Sequence, residues 1–240
     1  MSKAIERIRG LIDDYIAIRD PTFPQRVRGA SAEEIDALAG LMRHELPKSY
    51  RTFLEVMGNS SGGLVLLPDF STDIEDVRSY YEEDGEAPAN CLVFNVDLYE
   101  SDETLCLQLQ GAEEPKIVRA HGKHIISLFA DGLAQLLYRD AFSSYELAPM
   151  PFSVAYEGTN RDDFIVRARA AAIAAQFHVH WFSDSVTLCA SRENIGLLVY
   201  AGATHAPSIT VTGETHAEVE AHGTALQQTL RLGPAEWLKR

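Results

Sequence analysis

The residues of this chain that could do chemistry are carboxylates, histidines and three cysteines, and only the carboxylates are concentrated. Between Asp69 and Arg119 fourteen acids stand against three bases, Arg78, Lys116 and Arg119, a local net charge of −11 within a chain whose total is −14. From Met150 to Arg240 nine acids and seven bases nearly cancel. The negative field therefore belongs to the middle of the first half, where it repels nucleic acid and anionic membranes and attracts basic partners. Its carboxylates gather in two segments, Glu82, Glu83 and Asp84 in one, and Asp97, Glu100, Asp102 and Glu103 in the other. Paired acids can perform acid–base catalysis when a pocket raises one pKa above the other. No such pocket is legible here, so both segments read as solvated loops and as the contact surface for a basic protein. The plainer alternative is that acidic loops only keep the chain soluble.

The histidines point to a different chemistry. His178 and His180 alternate along a predicted strand, and His216, Glu218, Glu220 and His222 fall on one face if Thr215–Ala221 is also a strand. Paired with polar faces aligned, the two would gather a zinc-compatible set of imidazoles and carboxylates. Ordinary polar alternation on a solvent-facing strand accounts for the same pattern. With no His-x-x-x-His on a helix and no cysteine support, no metal is expected. Cys91, Cys106 and Cys189 lie in apolar runs without basic neighbours to lower a thiol pKa, and read as core residues. Their odd number and wide spacing suggest reduced thiols in a cytoplasmic protein. Gly-x-Ser-x-Gly, the P-loop and the dinucleotide fingerprint are all missing from the sequence. No catalytic constellation and no cofactor are expected.

The elements that must position these groups begin with residues 30–64. Ser31 and Glu34 form a capping-box signature ahead of Ile35, Leu38 and Leu41 or Met42 at helical spacing. Pro47 suits a first helical turn, Tyr50, Phe53, Leu54 and Met57 make the stripe of a second helix, and Gly58 and Asn59 stop it. Gly62 and Gly63 then turn the chain into a predicted strand, Leu64–Leu67. This order of signals resembles the SUKH superfamily: a capped helix, Leu-Pro followed by aromatics at helical spacing, a short polar stretch and an Asn-Gly-Gly turn. The residues that match are Leu46, Pro47, Tyr50, Phe53 and Leu54, with Gly58, Asn59, Gly62 and Gly63 at the turn. Two serines separate Asn59 from the glycine pair, a departure from the usual pattern. The resemblance extends more weakly through Leu92–Phe94, Thr104–Leu109 and a helix near Phe129–Leu137, roughly half of the chain.

Elsewhere the periodicity predicts an amphipathic helix over 3–19 and another over Ile74–Tyr81, with a loop over Glu82–Ala89. Strands are predicted at Leu92–Val96, Thr104–Leu109 and Lys116–Ala120, and a closing helix from Ser127 to Tyr138. Pro149 and Pro151 suggest a boundary. Beyond it come a helix, Arg161–Ala175, and strands at Phe177–Phe182, Val186–Ala190, Ile195–Tyr200, Ile209–Thr212 and Thr215–Ala221. A short helix at Thr224–Leu230 precedes the Trp237 tail. The expected organisation is α+β: a SUKH-like domain over 1–148, with its N-terminal helix and a mainly antiparallel sheet, then a small α+β domain over 152–240. Neither a secretory segment in the first twenty residues nor a membrane span is expected.

What the resemblance implies is a non-enzymatic binding protein. Bacterial members of the superfamily are mostly immunity proteins that occupy and neutralise a cognate toxin, often a nuclease. The acidic segment independently suits such a partner, since a nuclease surface is basic. The resemblance also allows an intracellular adaptor or regulatory scaffold, because some members, notably eukaryotic ones, serve in signalling and assembly. A metal-dependent hydrolase built on the histidines is a third alternative.

Overall fold

The computed structural model describes residues 2–99, 102–109, 114–159, 162–203 and 206–239. It divides into two compact units, Met1–Asp140 and Ala141–Arg240. The architecture is α+β, and every strand pair is antiparallel.

In the first unit, α1 (Lys3–Gly10) continues as a π-wound stretch, Leu11–Ile16, in which the Ala17 N–H donates to the Ile12 carbonyl at 2.8 Å. After β1 (Val27–Arg28) come α2 (Ala32–Met42) and α3 (Lys48–Met57). The N-terminus of α2 is capped reciprocally: Ser31 Oγ accepts the Glu34 N–H at 3.2 Å, and Glu34 Oε2 accepts the Ser31 N–H at 2.7 Å. Asn59 Nδ2 donates to the same Glu34 oxygen at 3.1 Å, so the turn after α3 is tied to the start of α2. These donors hold the Glu34 carboxyl below the usual carboxylate range, the Ser31 N–H being the largest contributor. Phe53 and Leu54 are buried, Tyr50 stacks on Phe53 with centroids 6.1 Å apart, and the edge of Phe94 meets Tyr50 at 6.0 Å. A Cβ on Gly29 would stand 1.9 Å from the Glu55 carbonyl oxygen, so the close approach of the β1 end to α3 requires glycine there.

The strands that follow are β2 (Ser60–Ser61), paired to β1, and β3 (Phe70–Ser71). Next come α4 (Ile74–Glu82), β4 (Cys91–Asp97), β5 (Glu103–Gln108), β6 (Lys116–His121) and β7 (His124–Ala130). They form a five-stranded sheet of order β3-β4-β5-β6-β7, bulged in β4 between Val93 and Asn95. α5 (Leu133–Phe142) follows, and the division between units falls within it.

The second unit is a six-stranded sheet with two helices on one face. Its elements are β8 (Phe152–Glu157), α6 (Phe164–Ala174), β9 (His178–Val179), β10 (Thr187–Arg192), β11 (Ile195–Tyr200), β12 (Ser208–Gly213), α7 (His216–Leu230) and β13 (Glu236–Lys239). The order is β13-β8-β12-β11-β10-β9. Val154, Val211 and Leu197, paired across three neighbouring strands, meet Phe164, Ala168, Val219 and Leu226 of the helices in one core.

Four sequence expectations are corrected. Leu64–Leu67 is not a strand: Leu64 and Leu66 are buried and Val65 exposed, but left-handed Gly62 and Gly63 on one side and Pro68 on the other leave the segment without a ladder partner. Ser127–Ala130 belongs to β7 rather than to the closing helix, because a turn at left-handed Gly122 folds His124–Ala130 back onto β6. Phe177–Phe182 is extended only at His178–Val179 before it turns, with the Ser183 N–H donating to the His180 carbonyl at 3.1 Å. Thr215–Ala221 is not a strand but the start of α7. Thr215 Oγ1 accepts the Glu218 N–H and donates to the Glu218 carboxylate at 2.6 Å, a helix cap whose local bonds override the alternating pattern.

Candidate functional site

The two acidic segments, apart in sequence, meet at one cleft of the first unit. The cleft has a volume of about 320 Å³ and is lined by Tyr80, Glu83, Gly85, Asp97, Leu98, Asp102, Glu103 and Thr104. α4 packs on β4, and the Val93 N–H donates to the Tyr81 hydroxyl at 2.7 Å, fixing the end of the helix against the strand. The loop after α4 then folds back on the helix: the Gly85 N–H donates to the Tyr80 carbonyl, and the Tyr80 hydroxyl donates to the Glu86 carbonyl. That fold brings Glu83 over to the β4–β5 connection, which supplies Asp97, Asp102 and Glu103. Burial, reinforced by Cys106, Asp102 and Glu86, pushes the Tyr80 hydroxyl up to about 12, so the cleft wall is a neutral phenol at physiological pH. On the same connection Leu98 and Tyr99 are exposed by 56% and 74%, an apolar lip beside the carboxylates.

The predicted contact residues do not fare alike. Glu83, Asp97, Asp102 and Glu103 line the cleft, whereas Glu82 and Asp84 are exposed beside it, and Glu82 ends α4 rather than opening the loop. Glu100 lies outside the described residues. The expectation of unquenched, solvated carboxylates holds for only some of them. Glu103 is half-buried and ion-paired to Arg119, its cross-strand diagonal neighbour. Glu82 meets Arg78 at 3.3 Å, Glu86 meets Lys123 at 2.6 Å, and Asp102 stands 4.0 Å from His121. Strand pairing supplies Arg119, one helical turn supplies Arg78 and the β6–β7 turn supplies Lys123, and none of these is visible as a charge run. Among the described residues Glu83 and Asp84 form no ion pair. Sequence reasoning missed Tyr80, Leu98 and Thr104. Exposed Leu98-Tyr99 between acids was the available signal.

The four histidines of the second unit that could have formed a zinc-compatible set stand in separate aromatic surroundings. His178 and His180 rings lie 5.3 Å apart, and His180 stacks on Phe182 with Nε2 2.9 Å from Ser191 Oγ. His216 stacks on Trp237 at 4.2 Å, and His222 meets the edge of Phe177. Burial, with help from Arg192, lowers the His222 pKa. Among the described residues no group of three or more His, Cys, Asp or Glu could hold a metal ion. All three cysteines are buried free thiols, and burial pushes Cys106 up to about 12. No helix among the described residues is long and apolar enough to cross a membrane.

No curated protein matches the chain. Residues 29–139 match the SMI1 / KNR4 family (SUKH-1). That span opens at the Gly29 close approach and takes in the capped α2, the aromatic α3, the Asn59 turn, the whole five-stranded sheet and the cleft at its β4–β5 connection. The first part of this chain is therefore a SUKH-superfamily domain.

Proposed function

We propose that this chain is a non-enzymatic, immunity-type protein that neutralises a basic cognate toxin by occupying its surface through the acidic cleft. The observation that carries this reading is the convergence of Glu83 with Asp97, Asp102 and Glu103 around one concavity with an apolar lip at Leu98 and Tyr99. Carboxylates around a concave wall raise the local potential for an incoming lysine or arginine, and a neighbouring Leu-Tyr pair offers apolar area that can be buried on docking. Membership of the SUKH superfamily supports a protein partner of this type. The local match of charge to a nuclease surface supports its being basic.

The experiment starts from a partner recovered with the full chain from the cell that encodes it. Association rates are then measured at low and moderate salt for wild type and for Glu83→Lys with Asp102→Lys, which avoids the Glu103–Arg119 pair that holds β5 to β6. The double reversal is expected to slow association about tenfold or more and to flatten its salt dependence, with a smaller effect on dissociation. Equal rates and equal salt slopes would remove the cleft from recognition. Recovery of an acidic partner would remove the toxin reading built on charge.

A further inference from the structure

We infer, resting on the function just proposed, that Leu98 and Tyr99 anchor the complex at the acidic cleft and that the group seated beside them is an arginine side chain of the basic partner. Scattered apolar residues on a surface carry no message. This pair is different because Leu98 lines the cleft and Tyr99 follows it on the same connection, so exposed apolar area runs on from the concavity. Its backbone is tied at both residues. The Leu98 N–H donates to the Asp69 carbonyl at 2.9 Å, and the Tyr99 N–H donates to Asp97 Oδ1 at 3.0 Å. Asp69 is left-handed, with φ 67°, and the next residue, Phe70 of β3, pairs with Asp97. Two exposed apolar side chains therefore stand on a backbone that is already fixed. Little ordering remains to be done on docking, and a large, pre-positioned apolar side chain is the kind that dominates interface energetics.

Charge and shape select the occupant. Among the described residues Glu83 forms no ion pair, and the Asp102 carboxylate meets only His121, at 4.0 Å, so both can receive a cation. A cleft of about 320 Å³ is at the small end for ligand pockets and suits one long side chain. Its walls include the Tyr80 ring, a neutral phenol, and Leu98. A lysine ammonium is a compact, strongly hydrated charge that would have to shed water against those walls. A guanidinium is more weakly hydrated, stacks on an aromatic face and bonds carboxylates through its planar fork. The methylene stem of arginine also covers apolar surface such as that of Leu98. The two sets of residues then divide the work. The carboxylates speed encounter, while Leu98 and Tyr99 slow release.

The test follows association and dissociation of the full chain with the recovered basic partner for wild type, Leu98→Ala, Tyr99→Ala and Tyr99→Phe. Both positions are exposed, so an unchanged thermal midpoint shows that each variant is folded. Each alanine variant should dissociate at least about tenfold faster and associate within about twofold of wild type, the reverse of the charge reversal at Glu83 and Asp102. Tyr99→Phe keeps the ring and should keep the slow dissociation. Unchanged dissociation in both alanine variants overturns the anchor and leaves a charge-steered basic partner, and so the proposed function, in place. Equal association rates for the charge reversal would remove the cleft itself, and the anchor with it. The arginine seat is read without a partner. Acetyl-arginine amide and acetyl-lysine amide are titrated separately into the full chain, and the amide shifts of Gly85, Leu98 and Thr104 are followed by NMR. The arginine probe should bind at least about threefold more tightly, and its shifts should vanish in Glu83→Gln with Asp102→Asn. Equal affinities, or no saturation by the arginine probe up to about 50 mM, overturn the choice of arginine.

Discussion

Asp140 sits near the end of α5 with its Oδ2 buried and without a hydrogen-bond partner, while Arg139 Nε reaches only to 4.0 Å from the other oxygen. Burial pushes this carboxyl up to about 7, and Arg139 offsets part of that. An acid whose folded pKa is raised contributes stability that is fully present below its unfolded value, about 3.9, and is lost as pH rises through the folded value. The wild type should therefore lose up to ~4 kcal/mol between about pH 4 and 8 relative to Asp140→Asn, which has no proton to lose. Urea unfolding of both proteins at pH 5 and pH 8 measures this. A gap between them that is the same at both pH values would show that Asp140 does not titrate in that window. Glu103 is the contrasting case. It is paired and half-buried, so it serves the sheet as well as the cleft, and its charge is not available to a partner in the way that the acidic run suggested. That distinction rests on Arg119, sixteen residues away in sequence and adjacent only through β-pairing.

At the scale of elements, two helix starts show how local chemistry competes with pattern. Ser31 and Glu34 were legible because the apolar spacing after them agrees with the cap. Thr215 and Glu218 form a similar cap, but an alternating His-x-Glu-x-Glu-x-His run follows, and alternation is the signature of a strand. The helix forms because its cap satisfies an otherwise orphaned N–H and because Val219, Gly223, Leu226 and Leu230 supply a buried stripe that extends beyond the alternating segment. Thr215→Ala should destabilise the second unit by about 1 kcal/mol, with far-UV helicity reduced, whereas Thr215→Asp should retain most of the stability. Equal losses for both would mean that the side chain does not act as a cap. In the first unit Phe53→Ala should cost roughly 3–5 kcal/mol, because the ring is buried and stacked on Tyr50, and calorimetry of the full chain reads the loss.

For the whole molecule the dominant physical fact is uneven charge. The acids concentrated between Asp69 and Arg119 repel one another in the folded state, and the ion pairs to Arg78, Arg119 and Lys123 relieve this only in part. Raising ionic strength from about 0.01 to about 0.15 M shortens the screening length from about 30 to about 8 Å and should raise the thermal midpoint of the chain. A midpoint that falls with salt would mean that the ion pairs outweigh the repulsion. Under the proposed function such a field steers a basic partner to the first unit.

By itself the sequence determined the α+β class, the capped α2 and aromatic α3 of the SUKH domain, the location of the negative field and the core strands β4, β5, β6, β10, β11 and β12. These follow from local spacing, capping chemistry and composition, which are properties of neighbouring residues. Only the tertiary structure decided that Leu64–Leu67 lacks a partner strand, that residues 124–130 form a strand, that Thr215 opens a helix, and which of the acids share one cleft. It also decided which of those acids are neutralised. Each depends on contacts between segments distant in the chain. A residue's exposure, and the charge set against it, are settled by what folds over it and not by its sequence neighbours.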